Sequence, residues 1–249
     1  MEIGLISLFP EMFDALNYGI TGRAIQHQLV KLHYLNPRDY TTDKHRTVDD
    51  HPYGGGPGML MKVQPLQDTI TAAKKTINND TKVIYVSPQG RQFNQKTAFE
   101  MAKQSSVIFV AGRYEGIDNR LLETTIDEEW SIGDYVLSGG ELAIMVMLDA
   151  IIRLLPEALG NETSALQDSF SQDLLDCPHY TRPENINGLK VPQVLLTGDH
   201  QAILRWRMKQ CLGHTWLKRP DLLETMSLDE QQQTLLKEFI DEHYSRKKS

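Results

Sequence analysis

Lys82-Val-Ile-Tyr-Val-Ser-Pro-Gln-Gly90 and Ser106-Val-Ile-Phe-Val-Ala-Gly-Arg-Tyr-Glu-Gly116 follow one plan: a short β-branched and aromatic run, then at once a glycine-bearing turn. Continuous apolar runs of this length suit strands buried on both faces of a parallel sheet. A helical stretch over 94–104 separates the two. Others over 62–76, 117–124 and 140–155 alternate with further strand-like runs at 3–9 and 31–36. Pro10-Glu11 opens a helix after the first of these runs, and Pro37 stops the second. The alternation predicts an α/β fold built from βαβ units around a mostly parallel sheet. Ordinary connection rules predict that sheet to be doubly wound and unknotted.

Outward from this core, the character of the chain changes at 156–172, where Pro, Gly, Asn, Ser and Thr displace most apolar side chains. That segment reads as a flexible linker between a domain at 1–155 and a mainly helical one at 173–249, with helices near 200–212 and 229–243. A chain of 249 residues suits one or two domains. A net charge of −7 argues against coating nucleic acid or anionic membrane by bulk charge, though not against a local basic face. Cys177 and Cys211 sit far apart with no CxxC spacing, so no metal ligands are assigned and both thiols are expected to be reduced. Glu2 stands where a signal peptide carries cationic charge. The greasiest stretch, Leu142 to Leu155, contains Asp149 and Arg153 and is too short to span a bilayer. A cytoplasmic protein without membrane contact is the expectation.

Of the 17 glycines, 13 precede residue 150, and many follow the expected strands. The loops are Ser87-Pro-Gln-Gly90, Gly112-Arg-Tyr-Glu-Gly116 and Ser131-Ile-Gly-Asp-Tyr-Val-Leu-Ser-Gly-Gly140, with Tyr53-Gly-Gly-Gly-Pro-Gly-Met59 upstream. Loops at the carboxyl ends of parallel strands bind ligands in α/β sheets, and glycine lets backbone polar groups approach them. Each loop alone is also explained as a tight turn. Neither the dinucleotide fingerprint, the P-loop, HExxH nor GxSxG occurs. The residues thus lead to an α/β enzyme with a glycine-lined pocket, its ligand unassigned.

Four longer stretches carry a resemblance: GRYEGIDNR at 112–120, DEEWSIGDYVLSGGELA at 127–143, DCPHYTRPE at 176–184 and HRTVDDHPYGGGPGM at 45–59. With SLFPEMF at 7–13 and RWRMKQCLGHTWLKRP at 205–220, they resemble the bacterial tRNA (guanine-N(1))-methyltransferases of the SPOUT class, the TrmD type, nearly end to end. The resemblance implies transfer of a methyl group from S-adenosylmethionine to the guanine immediately 3′ of the anticodon. It replaces the unknotted topology with a deep trefoil knot at the end of the SPOUT domain, followed by a small, mainly helical C-terminal domain. It also implies an obligate homodimer whose active site is shared between subunits, and the family's magnesium dependence brings Mg2+ as a further cofactor.

Carried over residue by residue, the resemblance assigns the donor pocket to Tyr85, Val86, Ser87, Pro88 and Gly90; to Gly112, Arg113, Tyr114 and Glu115; and to Ile132, Gly133, Tyr135, Leu137, Gly139 and Gly140. It makes Asp168 the general base that takes the guanine N(1) proton, and Arg153 the cation that steadies charge moving to O6. Asp149 and Arg153, spaced i,i+4, are equally explained as a pair that lets charge sit in an apolar helix. Asp49 matches the family's reader of the neighbouring guanine and reads otherwise as a turn former. The stretch 202–220 has Arg205, Arg207, Lys209, Lys218 and Arg219 with Trp206, His214 and Trp216 and no acidic residue, as a tRNA-binding face requires. A solvated cationic helix face would look the same. The anticodon arm of tRNA is the expected partner. A non-catalytic RNA-binding protein of this fold is the alternative, disfavoured because the donor loops, Asp168 and Arg153 are all present; another α/β enzyme acting on a small nucleotide would leave the basic C-terminal stretch unexplained.

Overall fold

A computed structural model of the chain describes residues 1–160 and 168–248. The chain divides into two compact units, Met1–Glu162 and Thr163–Ser249. Of the segment 156–172 expected to link domains, residues 161–167 lie outside the described residues. Among the described residues no helix is long and apolar enough to cross a membrane.

The first unit is built on a five-stranded, all-parallel sheet. Its strands are β1 (Glu2–Ile6), β2 (Lys31–Leu35), β5 (Val83–Gln92), β6 (Ser106–Ala111) and β7 (Glu128–Ser131), in the order β2-β1-β6-β5-β7. A separate two-stranded ribbon pairs β3 (Asp49–Asp50) with β4 (Leu60–Met61). The central strand β6 is buried from Val107 to Ala111, as its uninterrupted apolar run requires. Alternate residues then feed two cores. Val107, Phe109 and Ala111 join Ile3, Leu5, Ile84 and Val86 on one face, and Ile108 and Val110 join Ile6, Val83 and Tyr85 on the other.

Helices cover both faces. On the first lie the 3-10 helix Pro10–Asn17, with Phe13 and Leu16 buried, then α1 (Gly19–Gln26), α3 (Gln95–Ala102) and α5 (Glu141–Ile152). The second carries α2 (Val63–Thr76) and α4 (Asn119–Thr124). Local chemistry sets the helix starts: Asn94 accepts from the Thr97 N–H at 3.0 Å, and Asp118 from the Arg120 N–H at 2.9 Å. Helix α5 buries Ala143, Ile144, Met147, Leu148, Ile151 and Ile152 yet leaves Leu142 and Val146 about half exposed, so its apolar surface is wider than its own sheet can cover.

Strand β5 departs from expectation. It does not end at Ser87 but resumes pairing after Gly90, because both Val86 and Arg91 oppose Trp130 of β7. The turn Ser87-Pro-Gln-Gly90 is therefore an excursion from a continuing strand, where a proline costs no ladder hydrogen bond. A Cβ on Gly90 would fall inside the backbone of Glu129 and Trp130. Gly90→Ala is expected to lower stability by about 1–3 kcal/mol, because backbone offers no side-chain rotamer to absorb the overlap. A fall in the urea midpoint checks this, and an unchanged midpoint would mean that β5 and β7 part without cost.

The second unit contains a short ribbon of β8 (Asn185–Ile186) and β9 (Leu189–Lys190), then α6 (His200–Lys218), α7 (Pro220–Glu224) and α8 (Glu230–Lys248). Asp199 starts α6 by accepting from the Gln201 and Ala202 N–H groups, each at 3.0 Å. Leu174, Leu212 and Leu235 form its small buried core. A Cβ on Gly213 would run into the ring of Phe239, so the glycine is what lets α6 and α8 close on each other.

Candidate active site

Three glycine-bearing segments, the excursion within β5 and the turns after β6 and β7, converge to wall a cavity of about 190 Å³. Tyr85, Val86, Ser87 and Pro88 line it from β5 and its excursion. Gly112, Tyr114 and Glu115 follow β6, while Ile132, Gly133, Tyr135, Leu137, Gly139 and Gly140 lead from β7 into α5. Thirteen of the fifteen residues assigned to a donor pocket are thus brought together. Gln89, Gly116, Ile117, Leu122, Glu129, Ser131, Ser138 and Ala143 also line the space and were missed. For Glu129 and Ser131 the missed signal was strand β7 itself, hidden behind Asp127-Glu-Glu129.

Gly90 and Arg113 do not line the cavity. Gly90 serves the β5–β7 approach. Arg113 is turned into the protein: its Nη2 lies 3.0 Å from Glu141 Oε2, its Nε donates to Glu141 Oε1 at 3.1 Å, and its Nη1 donates to the Ser138 carbonyl at 3.2 Å. Its guanidinium also covers the Phe9 ring at 4.6 Å. Glu141, with 0% exposure at the start of α5, additionally accepts from the Ser7 hydroxyl at 2.6 Å. A carboxylate there is favoured by the helix N-terminus and by a hydrogen-bonding cation. One buried ion pair so joins the turns after β1, β6 and β7.

Glycine is required at the rim for contact reasons. A Cβ on Gly112 would stand 2.6 Å from the Tyr85 hydroxyl, and one on Gly140 2.9 Å from Ala111 Cα. Burial pushes the Tyr85 phenol up to about 12, helped by the Glu129 charge and opposed by the Ile117 N–H. Tyr114, held at φ +60°, is also raised, by burial and by the Asp49 carboxylate it hydrogen-bonds, with Arg38 opposing. Both phenols stay protonated at neutral pH and can donate hydrogen bonds, but neither can act as a base. Asp49, on β3, is thereby placed in one group with Tyr114 and Arg38.

Arg153 ends α5, where its N–H donates to the Asp149 carbonyl at 3.4 Å. Asp149 is exposed, so the helix does not bury that acid. Asp168 belongs to the second unit, where with Gln172, Asp176, His179 and Arg207 it borders a cavity of about 260 Å³.

The cationic stretch is less bare than its sequence suggests. Arg205 pairs with Glu238 at 2.5 Å and Lys209 with Glu242 at 2.6 Å, both acids on α8. Arg219 forms a fork with Asp221. Local sequence shows no acid within 202–220, but the fold brings two from α8, and Asp221, the next residue, supplies a third. His214 packs edge-on to Phe239 at 6.3 Å; burial, and then the Lys218 charge, lower its affinity for a proton. Lys218 is exposed on the last turn of α6. Tyr180 and Trp206 form an aromatic pair at 6.3 Å on this unit.

A profile of the family described as "tRNA (Guanine-1)-methyltransferase TrmD" matches residues 1–225. The chain belongs to the TrmD family. A protein of Shewanella amazonensis named tRNA (guanine-N(1)-)-methyltransferase is 59% identical over 250 residues, covering 100% of both chains. A Marinomonas protein of the same name is 60% identical over 243 residues, covering 97% of each. One from Escherichia coli O9:H4 is 59% identical over 244 residues, covering 98% of this chain and 96% of its own. TrmD-family membership makes the chain a methyltransferase acting on tRNA with S-adenosylmethionine as donor. The mixed α/β architecture with its parallel central sheet is consistent with it.

Proposed function

We propose that this TrmD-family chain methylates N(1) of the guanine immediately 3′ of the anticodon, using the cavity walled by the β5 excursion and the turns after β6 and β7 for the donor and Asp168 as general base. The observation that carries the reading is the convergence of three glycine segments from distant parts of the sequence on one cavity. Backbone groups, which glycines leave open, suit the polar edge of an adenine, and Val86, Ile132 and Leu137 suit its faces. The donor contributes an electrophilic methyl on a sulfonium sulfur. Guanine N(1) holds a proton and has no available lone pair until that proton departs. The Asp168 carboxylate accepts it, and Arg153 balances the charge that moves to O6 as N(1) attacks. Mg2+ requires hard oxygen ligands; Glu115 and Glu129 are the carboxylates bordering the cavity and are the residues that would hold it.

The trefoil knot is part of this proposal. It is supported by two close approaches of backbone distant in sequence, Gly90 on Glu129–Trp130 and Gly140 on Ala111–Gly112. So is a homodimer with the active site shared between subunits, supported by the half-exposed Leu142 and Val146 on α5, which a second copy would cover. Residues 1–155 would act as the methyltransferase domain, 156–172 as the linker and 173–249 as the tRNA-binding domain, with Asp49 reading the neighbouring guanine and Arg205, Arg207, Lys209, His214, Lys218 and Arg219 facing the anticodon arm.

Labelled donor and transcripts that carry or lack guanine 3′ of the anticodon test the reading. Label should appear at N(1) of that base alone, and label on both transcripts would defeat the assignment. Three of the cations are tied to acids, so few phosphates are neutralised on binding. The plot of log affinity against log salt should therefore have a slope of magnitude about 2–4, from roughly 0.9 per phosphate. A slope of about 5 would mean those ion pairs open on tRNA.

A further inference from the structure

Two cysteines that are 34 positions apart in sequence meet in the second unit. Cys177 precedes Pro178 in a loop, and Cys211 lies on α6. With Asp176, their ligand atoms all lie within 4.8 Å of one another, and this is a cluster of metal-capable side chains among the described residues. Asp176 Oδ2 is also 2.8 Å from His179 Nε2. We propose that Asp176, Cys177 and Cys211 form a site for a thiophilic divalent cation of the zinc type, with His179 as fourth ligand or as the partner that orients the carboxylate.

The donor set decides the class of ion. Two thiolates and a carboxylate suit zinc and do not suit magnesium, which takes oxygen ligands in near-ideal octahedra. A tetrahedral zinc with sulfur at about 2.3 Å needs sulfurs about 3.8 Å apart, so the cluster must contract by no more than about 1 Å. Cys177 is buried and Cys211 half-buried, which shields the site from water. Two thiolates and a carboxylate exceed the charge of a divalent ion by one unit, and Arg207 borders the same cavity to offset it. His179 hydrogen-bonded to a ligating carboxylate is the outer arrangement that steadies such ligands. Binding displaces two thiol protons to solvent and fastens the segment Leu174–His179 to α6 without any change in oxidation state.

The test uses the full chain, reduced and freed of metal, titrated with Co2+. One equivalent should produce a thiolate-to-cobalt charge-transfer band and intense visible bands of tetrahedral type, both discharged by Zn2+, with release of protons. Cys211→Ser should remove the charge-transfer intensity and weaken Zn2+ binding at least about tenfold, the scale of losses at metal shells. Its circular dichroism should match the parent. Zn2+ should raise the melting temperature of the parent and not of the variant, so a folding defect and a ligand defect are told apart. Weak octahedral cobalt bands in the reduced parent, retention of the thiolate band in Cys211→Ser, or conversion of the two thiols to a disulfide without metal uptake would each overturn the proposal.

Discussion

Asp168→Ala should slow single-turnover methyl transfer to tRNA by roughly 10²–10⁴-fold, the range that a positioned general base contributes, while donor affinity stays within about twofold. The size of the loss follows from the nucleophile. Guanine N(1) cannot attack while protonated, so removing the acceptor blocks the step rather than misaligning it. The small effect on donor binding follows from the lining: the cavity proposed for the donor is lined by residues that do not include Asp168, which borders a cavity of the second unit. Calorimetry of donor binding beside rapid-quench transfer separates the two quantities. Equal losses in both would make Asp168 a structural residue. Asp168→Asn sharpens the comparison, since it keeps the shape and removes only the basicity.

Glu141→Ala should be the most destabilising change among the residues that brace the proposed donor cavity, by about 3–5 kcal/mol. Breaking a buried pair by removing one partner leaves the other charge uncompensated, and here the Arg113 side chain is only 17% exposed. The Ser7 hydroxyl loses its acceptor in the same stroke. Because Arg113 also holds the Ser138 carbonyl, the segment 131–140 loses its anchor, and donor affinity should fall with stability. Chemical denaturation and donor titration measure both. A loss below about 1 kcal/mol would mean that water replaces the carboxylate, as it does for exposed pairs. Glu141→Gln, which keeps the acceptor for Ser7 and drops the charge, should lie between.

Much of the first unit could be read from its residues. The runs at 83–86 and 106–111 read as strands because they are short, apolar and rich in β-branched residues, and α2, α3, α4 and α5 fall within three residues of the expected ranges. The short β7 escaped because Glu128 and Glu129 look polar in isolation. In the sheet, the Glu128 carboxylate is satisfied by Lys82 at 2.6 Å and by the Trp130 indole N–H at 2.9 Å. The excursion at 87–90 could not be distinguished from a strand end, since nothing local says that pairing resumes at Arg91.

The cavity's membership came from the resemblance rather than from periodicity. Two departures from the expected roles are instructive. Arg113 sits in a ligand-binding type of loop but answers to Glu141, a partner 28 residues away that no spacing rule connects to it. The cations of α6 look unopposed because their acids lie on α8, a separate stretch of chain. Long-range pairing, not local propensity, accounts for both.

The resumed pairing of β5 beyond Gly90 also bears on how the pocket tolerates change. A wall made of main chain, pinned on both sides of its excursion by the same residue of β7, presents a surface that side-chain replacement scarcely alters. A competitive inhibitor that spends its contacts on those amides and carbonyls leaves a microbe few routes to resistance. Among those that remain are changes at lining side chains such as Val86, Tyr135 and Leu137.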